Sequence, residues 1–213
     1  MMSGIGGIRR RLAAGGAVMA ALTLLGLVSV YGPVRFSSAE AGRAAPTGSA
    51  LGLAIDPADG SLVRVGGGAL SRSTDQGQSW QSLPIPDALQ PDKLVQVATS
   101  SAAPSTLYAA GPGAGVVRSD DRGQTWHQIG GGLPSNQIGA FAVHSFRPDT
   151  LYASIDGQGV FRTEDGGGRW QKMDDGPSGI VTALAHSTLE GSMNTGWLYA
   201  ATPAGPYLSM DCF

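Results

Sequence analysis

Carboxylates recur along this chain at an almost constant interval. The eight-residue motif Ser/Thr-x-Asp-x-Gly-x-x-Trp is present three times, and a fourth copy begins near the last residue. Its aspartates, Asp75, Asp121, Asp165 and Asp211, lie 46, 44 and 46 residues apart. A short Asp side chain can accept hydrogen bonds from backbone N–H groups just beyond it and so close a tight turn. We therefore interpret these carboxylates as turn-forming groups rather than as catalytic acids.

The other positions of the motif also have roles in folding. The Ser or Thr hydroxyl can reinforce the turn, the Gly permits a positive φ without steric cost, and the Trp buries a large apolar area, which we expect to lie between sheets. The motif thus predicts structural roles for Ser73, Asp75, Gly77 and Trp80, for Ser119, Asp121, Gly123 and Trp126, for Thr163, Asp165, Gly167 and Trp170, and for Ser209 and Asp211.

Few other residues suggest catalysis. A glycoside hydrolase needs two carboxylates, about 5 Å or about 6.5–9.5 Å apart, and the acids available for such a pair are Asp156, Asp174 and Asp175. The residues around these acids are as typical of turns as of a catalytic site. Glu164 lies inside a motif, and Glu190 is the other glutamate after residue 41. The sequence predicts no catalytic residue.

The histidines and the glycine pattern predict neither a metal nor a cofactor. His144 and His186 are expected to end equivalent first strands, one in each of two repeats, and His127 belongs to another strand. Residues spread in this way do not converge as metal ligands must. A phosphate-binding Gly loop followed by Lys and a Ser-His-Asp signature are both missing.

One arginine precedes each complete motif, at Arg72, Arg118 and Arg162. A ring of such side chains could grip carboxylates. The alternative is a solvated face of surface ion pairs. Asp120 and Glu164, which lie two residues beyond Arg118 and Arg162, favour the ion-paired face.

Short β-strands are the elements that must position these residues. Each period contains four β-type runs, for example 95–97, 106–108, 115–118 and 126–129, separated by turn residues. Glycine is abundant, at 33 of 213 residues, as tight turns require. Four strands in a period of this length are typical of a propeller blade. We predict an all-β fold with about three and a half blades, and we expect the chain to be a truncated piece of a longer protein.

The octapeptide resembles the Asp-box, also called the BNR repeat. That repeat occurs in sialidases, xyloglucanase-type glycoside hydrolases, sortilin-type receptors and photosystem II assembly factors, and the resemblance covers roughly residues 50 to 213. It implies a β-propeller in which the motif is a structural turn set apart from any active site, and it leaves the function open. The Arg-Ile-Pro tripeptide typical of sialidases is absent.

The N-terminal segment predicts export. Arg9, Arg10 and Arg11 precede an uncharged stretch from Leu12 to Val34, and a basic region followed by an apolar core is an export signal. Ala39-Glu40-Ala41 offers a cleavage site, whereas an uncleaved segment would anchor the chain in the membrane through residues 12–31. We assign 1–41 to a signal peptide or signal-anchor helix, 42–49 to a linker and 50–213 to the blades, outside the cytoplasm.

The charge of the chain limits the classes of partner that it is expected to bind. Beyond residue 41 the chain carries ten Lys or Arg and fifteen Asp or Glu, without a basic patch, so nucleic acid is not expected. Cys212 is the only cysteine, which excludes a disulfide within the chain.

The sequence leaves two functions open. The first is an extracytoplasmic binding or assembly module for a protein or carbohydrate ligand. The second is a glycoside hydrolase whose catalytic residues lie mostly outside this chain.

Overall fold

In the computed structural model, residues 51–187 and 196–209 are described. The predicted helix at Leu12–Tyr31, the cleavage site and the end of the fourth motif, including Asp211, lie outside the described residues. Within the described ranges, fifteen strands form four antiparallel sheets in chain order. The predicted all-β class and the four-stranded unit are confirmed.

The first two sheets are complete meanders in which consecutive strands pair. Sheet I contains β1 (Gly52–Ile55), β2 (Leu62–Gly66), β3 (Ala69–Ser73) and β4 (Gln81–Leu83). Sheet II contains β5 (Gln96–Thr99), β6 (Leu107–Gly111), β7 (Gly115–Ser119) and β8 (His127–Gln128).

The last two sheets repeat this plan. Sheet III contains β9 (Ile138–Val143), β10 (Leu151–Ile155), β11 (Gly159–Thr163) and β12 (Gln171–Lys172). Sheet IV contributes β13 (Ala183–His186), β14 (Leu198–Thr202) and β15 (Gly205–Ser209) to the described residues.

Antiparallel pairing gives each sheet two ends. The motifs join the third strand to the fourth, so they lie with the loops between first and second strands at one end, which we call the motif end. The hairpins between second and third strands lie at the opposite end, with the connections 84–95, 129–137 and 173–182 from one sheet to the next. We call this the connection end. Gly67 and Gly68, with φ of 61° and 78°, form the two-residue hairpin of sheet I.

Apolar layers between successive sheets form the core. Val63, Val65 and Leu70 of sheet I pack with Leu107 and Ala109 of sheet II. Two further layers follow the same plan, one between sheets II and III and one between sheets III and IV. The two middle sheets are therefore covered on both faces.

Helical structure among the described residues is confined to two 3₁₀ turns, Asp87–Leu89 and Pro91–Lys93, in the first connection. None of the helical segments described is long and apolar enough to cross a membrane.

Candidate functional site

The motif carboxylates accept hydrogen bonds inside their own turns. Oδ1 of Asp121 accepts the N–H groups of Gln124 at 2.9 Å and Thr125 at 2.8 Å. Asp75 accepts the Ser79 N–H at 2.8 Å, and Asp165 accepts the Arg169 N–H at 2.9 Å. Each carboxylate thus satisfies donors that the turn would otherwise leave exposed.

The first residue of the motif links two parts of the turn. Its hydroxyl donates to the Asp carboxylate, at 2.8 Å for both Ser73 and Ser119 and at 2.7 Å for Thr163. The same oxygen accepts the N–H of the motif glycine, at 2.7 Å for Gly77 and Gly123 and 3.0 Å for Gly167. Ser209, the first residue of the fourth motif, is buried at the end of β15.

Two successive residues of each turn have a positive φ. The motif glycines lie at 88°, 91° and 102°. The residue before each of them is also left-handed, with φ of 59° at Gln76, 60° at Arg122 and 72° at Gly166. The motif pattern predicted the first set but not the second, because two of its members are Gln and Arg, which give no signal for this conformation.

The seventh position of the motif distinguishes the third copy. The Ser79 hydroxyl donates to Asp75, and the Thr125 hydroxyl donates to Asp121. These side-chain bonds, followed by the backbone ones, lower the pKa of each carboxyl to about 2. Arg169 occupies this position in the third copy, where the backbone N–H of Arg169 is the main cause of a lowered pKa at Asp165.

The tryptophans are less uniformly buried than the sequence predicted. Trp126 is buried at 7% exposure, and the half-buried Trp170 packs in the layer between sheets II and III, so both lie between sheets as predicted, whereas Trp80 is half-buried on the uncovered face of sheet I. No described sheet precedes sheet I, and the ring of Trp80 is covered instead by the Arg64 guanidinium at 4.1 Å. Trp170 reaches back to sheet II, where its indole donates to the Ile129 carbonyl at 3.2 Å.

The motif arginines are engaged in ion pairs, as the sequence analysis favoured. Arg118 bonds Asp120 at 2.7 Å and, on the next sheet, Asp149 at 2.8 Å. Arg162 pairs with Glu164 at 2.9 Å. These contacts bind adjacent segments together rather than present a ring of uncompensated cations.

The first arginine differs from the other two. Arg72 pairs with Asp56 at 3.1 Å, and the Asp56 side chain is completely buried. Asp59 lies 4.0 Å from Arg72 and 3.4 Å from Arg122 of sheet II. The first pair of sheets is therefore joined at the motif end by a small charged network.

The expectation that His144 and His186 stay apart is wrong. Their rings stack with centroids 3.9 Å apart between sheets III and IV. Leu151 pairs with Val143, whereas the equivalent Leu198 pairs with His186. His186 therefore holds the same strand position in sheet IV as Val143 holds in sheet III, and His144 is one residue further along its strand. A shift of one residue reverses the face of a strand, so the two rings point toward each other.

Backbone hydrogen bonds show which ring nitrogen of each histidine carries the proton. The N–H of Phe146 donates to Nδ1 of His144 at 3.1 Å, and the N–H of Ser145 donates to Nδ1 of His186 at 3.1 Å. Both imidazoles therefore accept at Nδ1 and carry their proton at Nε2. His127 lies apart, exposed on β8. The described residues contain no group of three or more His, Cys, Asp or Glu side chains placed to hold a metal.

The three carboxylates considered for a catalytic pair lie at the connection end. Asp156 follows β10, Asp174 and Asp175 follow β12, and all three are exposed. The register of β9 against β10 shifts near Gly139, and Oδ1 of Asp156 lies 2.7 Å from where a Cβ on Gly139 would be. A glycine at this bulge thus lets the carboxylate lie directly on the backbone of the first strand.

Comparison with known proteins identifies the fold. No protein-family model matches the chain, and no curated protein matches its sequence. The crystal structure of the GH74 xyloglucanase from Xanthomonas campestris matches with a TM-score of 0.62 and 22% identity, over 77% of this chain and 29% of that one.

Two further solved structures are similar. A chain of a nidogen/laminin complex matches with a TM-score of 0.60 and 12% identity, over 78% of this chain and 62% of that one. YCF48 from Cyanidioschyzon merolae matches with a TM-score of 0.53 and 15% identity, over 76% and 56%. This chain thus spans less than a third of the xyloglucanase and less than two thirds of the other two. Taken with the meandering sheets in chain order, these likenesses show that the described residues have a β-propeller fold.

Proposed function

We propose that this chain is an extracytoplasmic binding or assembly module whose repeated motifs are structural Asp-box turns. One observation carries the proposal. The carboxylate, hydroxyl and glycine of the three complete motifs are engaged within their own turns, so the repeated chemistry of the motif serves folding. Recognition is left to the loops that differ between repeats.

The connection end supplies those variable loops. Residues 84–95 contain two 3₁₀ turns, whereas 129–137 and 173–182 contain none. Exposed groups of mixed character lie there, including Asp174, Asp175 and Ile180, which is 54% exposed. A rigid scaffold that carries variable loops suits a protein or carbohydrate ligand. The match within a nidogen/laminin complex agrees with protein partners for propellers of this kind.

Site-specific photo-crosslinking in the native host tests this proposal. A photoreactive residue at Ile180 should give a discrete adduct with one partner. The same residue at Gln124, which is exposed at the motif end, should not. Adducts from Gln124 alone, or equal adducts from both positions, would contradict the proposal.

A glycoside hydrolase is the second candidate. The fold likeness to a xyloglucanase and the position of Asp156 on the Gly139 bulge favour it. Asp156 would need a second carboxylate at about 5 Å or about 6.5–9.5 Å, and Asp174 and Asp175 share its end of the molecule. Hydrolysis of xyloglucan, β-glucans or sialosides that disappears in Asp156→Asn, with unchanged thermal stability, would establish the enzyme and displace the binding module.

Export is proposed from the N-terminal sequence alone. The arginines at 9–11 and the apolar stretch that follows would direct residues 50–213 out of the cytoplasm. Fractionation of bacterial cells and N-terminal sequencing of the product test this directly. A soluble, uncleaved chain in the cytoplasm would refute export.

A further inference from the structure

The contact between sheets III and IV contains two histidines at the motif end. The rings of His144 and His186 stack with centroids 3.9 Å apart and an interplanar angle of 29°. His144 is only 2% exposed, and His186 is half-buried. The third histidine, His127, is exposed on β8. Among the described sheets, this is therefore the contact whose side chains can change charge close to neutral pH.

His144 holds a position that closes a turn in each of the first three sheets. The residue after the first strand accepts, through its side chain, the N–H group two residues further on. Oδ1 of Asp56 accepts this bond in sheet I at 3.0 Å, and the hydroxyl of Ser100 accepts it in sheet II at 3.3 Å. Nδ1 of His144 accepts it in sheet III at 3.1 Å. A carboxylate and a hydroxyl can still accept this bond in mild acid, whereas an imidazole cannot once Nδ1 is protonated.

His186 makes a hydrogen bond that crosses between the sheets. Its Nδ1 accepts the N–H of Ser145 at 3.1 Å, and the Ser145 hydroxyl donates to the His186 carbonyl at 3.0 Å. The equivalent residue of sheet II, Thr99, also reaches the preceding sheet, where its hydroxyl donates to the Ile55 carbonyl at 2.8 Å. The threonine contact has no group that titrates near neutral pH, whereas the histidine contact requires an unprotonated ring nitrogen.

Protonation of the pair would remove both acceptors and add two like charges. The added proton goes to Nδ1, because Nε2 already carries one, so the N–H groups of Phe146 and Ser145 lose their acceptors. The Ser145 hydroxyl, 3.0 Å from Nδ1 of His186, could accept from the protonated ring, but it would not replace the acceptor of the N–H group. Two imidazolium rings at the stacking distance also repel each other.

The aromatic side chains beside the pair are uncharged near neutral pH. Tyr152 on β10 lies parallel to the His186 ring, with centroids 6.0 Å apart. Phe146, in the loop after β9, lies 6.1 Å from the His144 ring. On the sheet IV side, a Cβ on Gly196 would lie only 2.6 Å from Cε1 of His186, so the backbone is close to this ring. Partly buried surroundings of this kind disfavour a charged ring.

Charged residues occur in the segments around the pair. Arg147 and Asp149 belong to the loop between β9 and β10. Arg147 is exposed, and Asp149 is bonded to Arg118 of sheet II at 2.8 Å. Glu190, between β13 and β14, and Asp211, after β15, lie outside the described residues. These two carboxylates are the groups that an experiment must separate from the histidines.

We propose that the pair of His144 and His186 is a pH-sensitive contact that holds sheet IV on sheet III at neutral pH and releases it in mild acid. Once the sheets separate, each ring can take up a proton near the ordinary pKa of histidine, about 6.5. The stacked pair excludes these protons, so the contact is stable above that pH and weakens as pH falls below it. Release also frees the connection 173–182, which joins the same two sheets at the connection end.

Amide hydrogen exchange of the full chain, followed by mass spectrometry and corrected for intrinsic exchange rates, tests this contact. From about pH 7.5 to about pH 5.5, protection of β13, β14 and β15 should fall about tenfold for each histidine, or about 100-fold for the pair. Protection of β6 and β7 in sheet II should not change. A constant protection of sheet IV, or an equal loss in all sheets, would overturn the proposal.

Asparagine variants isolate the protonation step, because the Asn side chain can accept the same turn bond and does not titrate. His144→Asn and His186→Asn should each retain about a tenfold loss of protection, and the double variant should show none. His127→Asn is the matched control and should respond like the wild type. An acid response that survives in the double variant would overturn the proposal. If the double variant does not fold, a full response in either single variant would contradict it.

Two further measurements separate the histidines from other groups. Glu190→Gln and Asp211→Asn should keep the acid response of the wild type, and its loss in either variant would assign the effect to a carboxylate. Long-range ¹H–¹⁵N NMR at neutral pH should show the His144 and His186 rings protonated at Nε2 alone. A proton on Nδ1 of either ring under these conditions would refute the proposed contact.

Discussion

The middle sheets and the first sheet apply the same plan with different neighbours. Every residue of β6 and of β10 is buried, whereas β2 alternates between half-buried and buried positions. The pairing registers of the three strands are equivalent. The difference therefore arises from the neighbours, since sheet I has a described sheet on one face and sheets II and III have one on each.

This comparison shows that a blade is a two-sided element. Burial of both faces requires nearly continuous apolar strands such as Leu-Tyr-Ala-Ala-Gly in β6. Sheet I departs from that rule where its uncovered face permits, with Arg64 at the position of Ala109 and Ala153. The same substitution in a middle sheet would bury a charge.

Truncation of a core leucine should give the largest contrast between these regions. Leu107 of sheet II is completely buried, while Leu53 of sheet I is 60% exposed. Leu107→Ala should lower the free energy of unfolding by about 2–5 kcal/mol. Leu53→Ala should change it by less than about 1 kcal/mol. Urea denaturation at low protein concentration measures both, and equal losses would show that the face of sheet I is already covered.

Replacement of the motif glycines by alanine should give the next largest loss of stability. A Cβ on Gly167 would lie 2.6 Å from the Ile129 carbonyl oxygen of the preceding sheet, whereas the nearest atom to a Cβ on Gly77 is 3.7 Å away. Gly77→Ala should cost about 1–2 kcal/mol, from the left-handed backbone alone. Gly167→Ala should cost about 1–3 kcal/mol more, because the sheets must separate. Thermal denaturation of both variants checks this order.

The interfacial tyrosines provide a smaller contrast with a distinct pH signature. The hydroxyl of buried Tyr108 donates to the Pro148 carbonyl at 2.7 Å, and Tyr199 is the exposed equivalent. Tyr108→Phe should lower stability at neutral pH by about 1 kcal/mol. Tyr199→Phe should have almost no effect at low protein concentration.

Alkaline titration sharpens the tyrosine prediction. Burial raises the pKa of Tyr108 from 10.0 to about 12. The unfolded chain therefore loses this proton first as pH rises, so the folded state should lose stability between about pH 10 and pH 12. Urea midpoints across that range should fall less in Tyr108→Phe than in the wild type. Parallel declines in both would assign the effect to other groups.

The sequence predicted the repeats well because they are local. The spacing of the motifs located the turn between third and fourth strands, and the apolar runs located strands such as β1 and β6. Each of these signals depends on neighbours within one sheet, and the same is true of the carboxylate bonds of Asp75, Asp121 and Asp165.

The sequence did not predict the features that depend on neighbours distant along the chain. The stack of His144 on His186 depends on a register difference of one residue that apolar runs do not define. The different burial of Trp80 and Trp126 depends on whether another sheet lies beside the indole. The bulge at Gly139 and the contact of Arg64 with Trp80 similarly require three-dimensional neighbours.

Acid titration of the motif turns gives the smallest contrast, since Asp121 and Asp165 are exposed to solvent and Asp75 is only half-buried. The pKa values of Asp75 and Asp121 are about 2 in the folded chain, below the ordinary value of 3.8. A lowered folded pKa means that the turn bonds stabilise the protein above pH 4 or so and that this contribution is lost as pH falls toward about 2. Carbon-detected NMR should resolve these titrations and show Asp165 above the other two, because its turn lacks the seventh-position hydroxyl.

Exchange of the seventh residue tests that assignment in both directions. Thr125→Val should raise the pKa of Asp121, and Arg169→Thr should lower that of Asp165, because the hydroxyl bond is the largest cause at Asp121 and is missing at Asp165. Loss of the Arg169 charge works the opposite way, but it is the weakest of the causes at Asp165. The pH at which the protein unfolds in acid should change accordingly. It should be lower in Arg169→Thr and higher in Thr125→Val than in the wild type. If the pKa of Asp165 rose in Arg169→Thr, the guanidinium rather than the missing hydroxyl would govern the third turn, and the distinction between the turns would have to be drawn from charge.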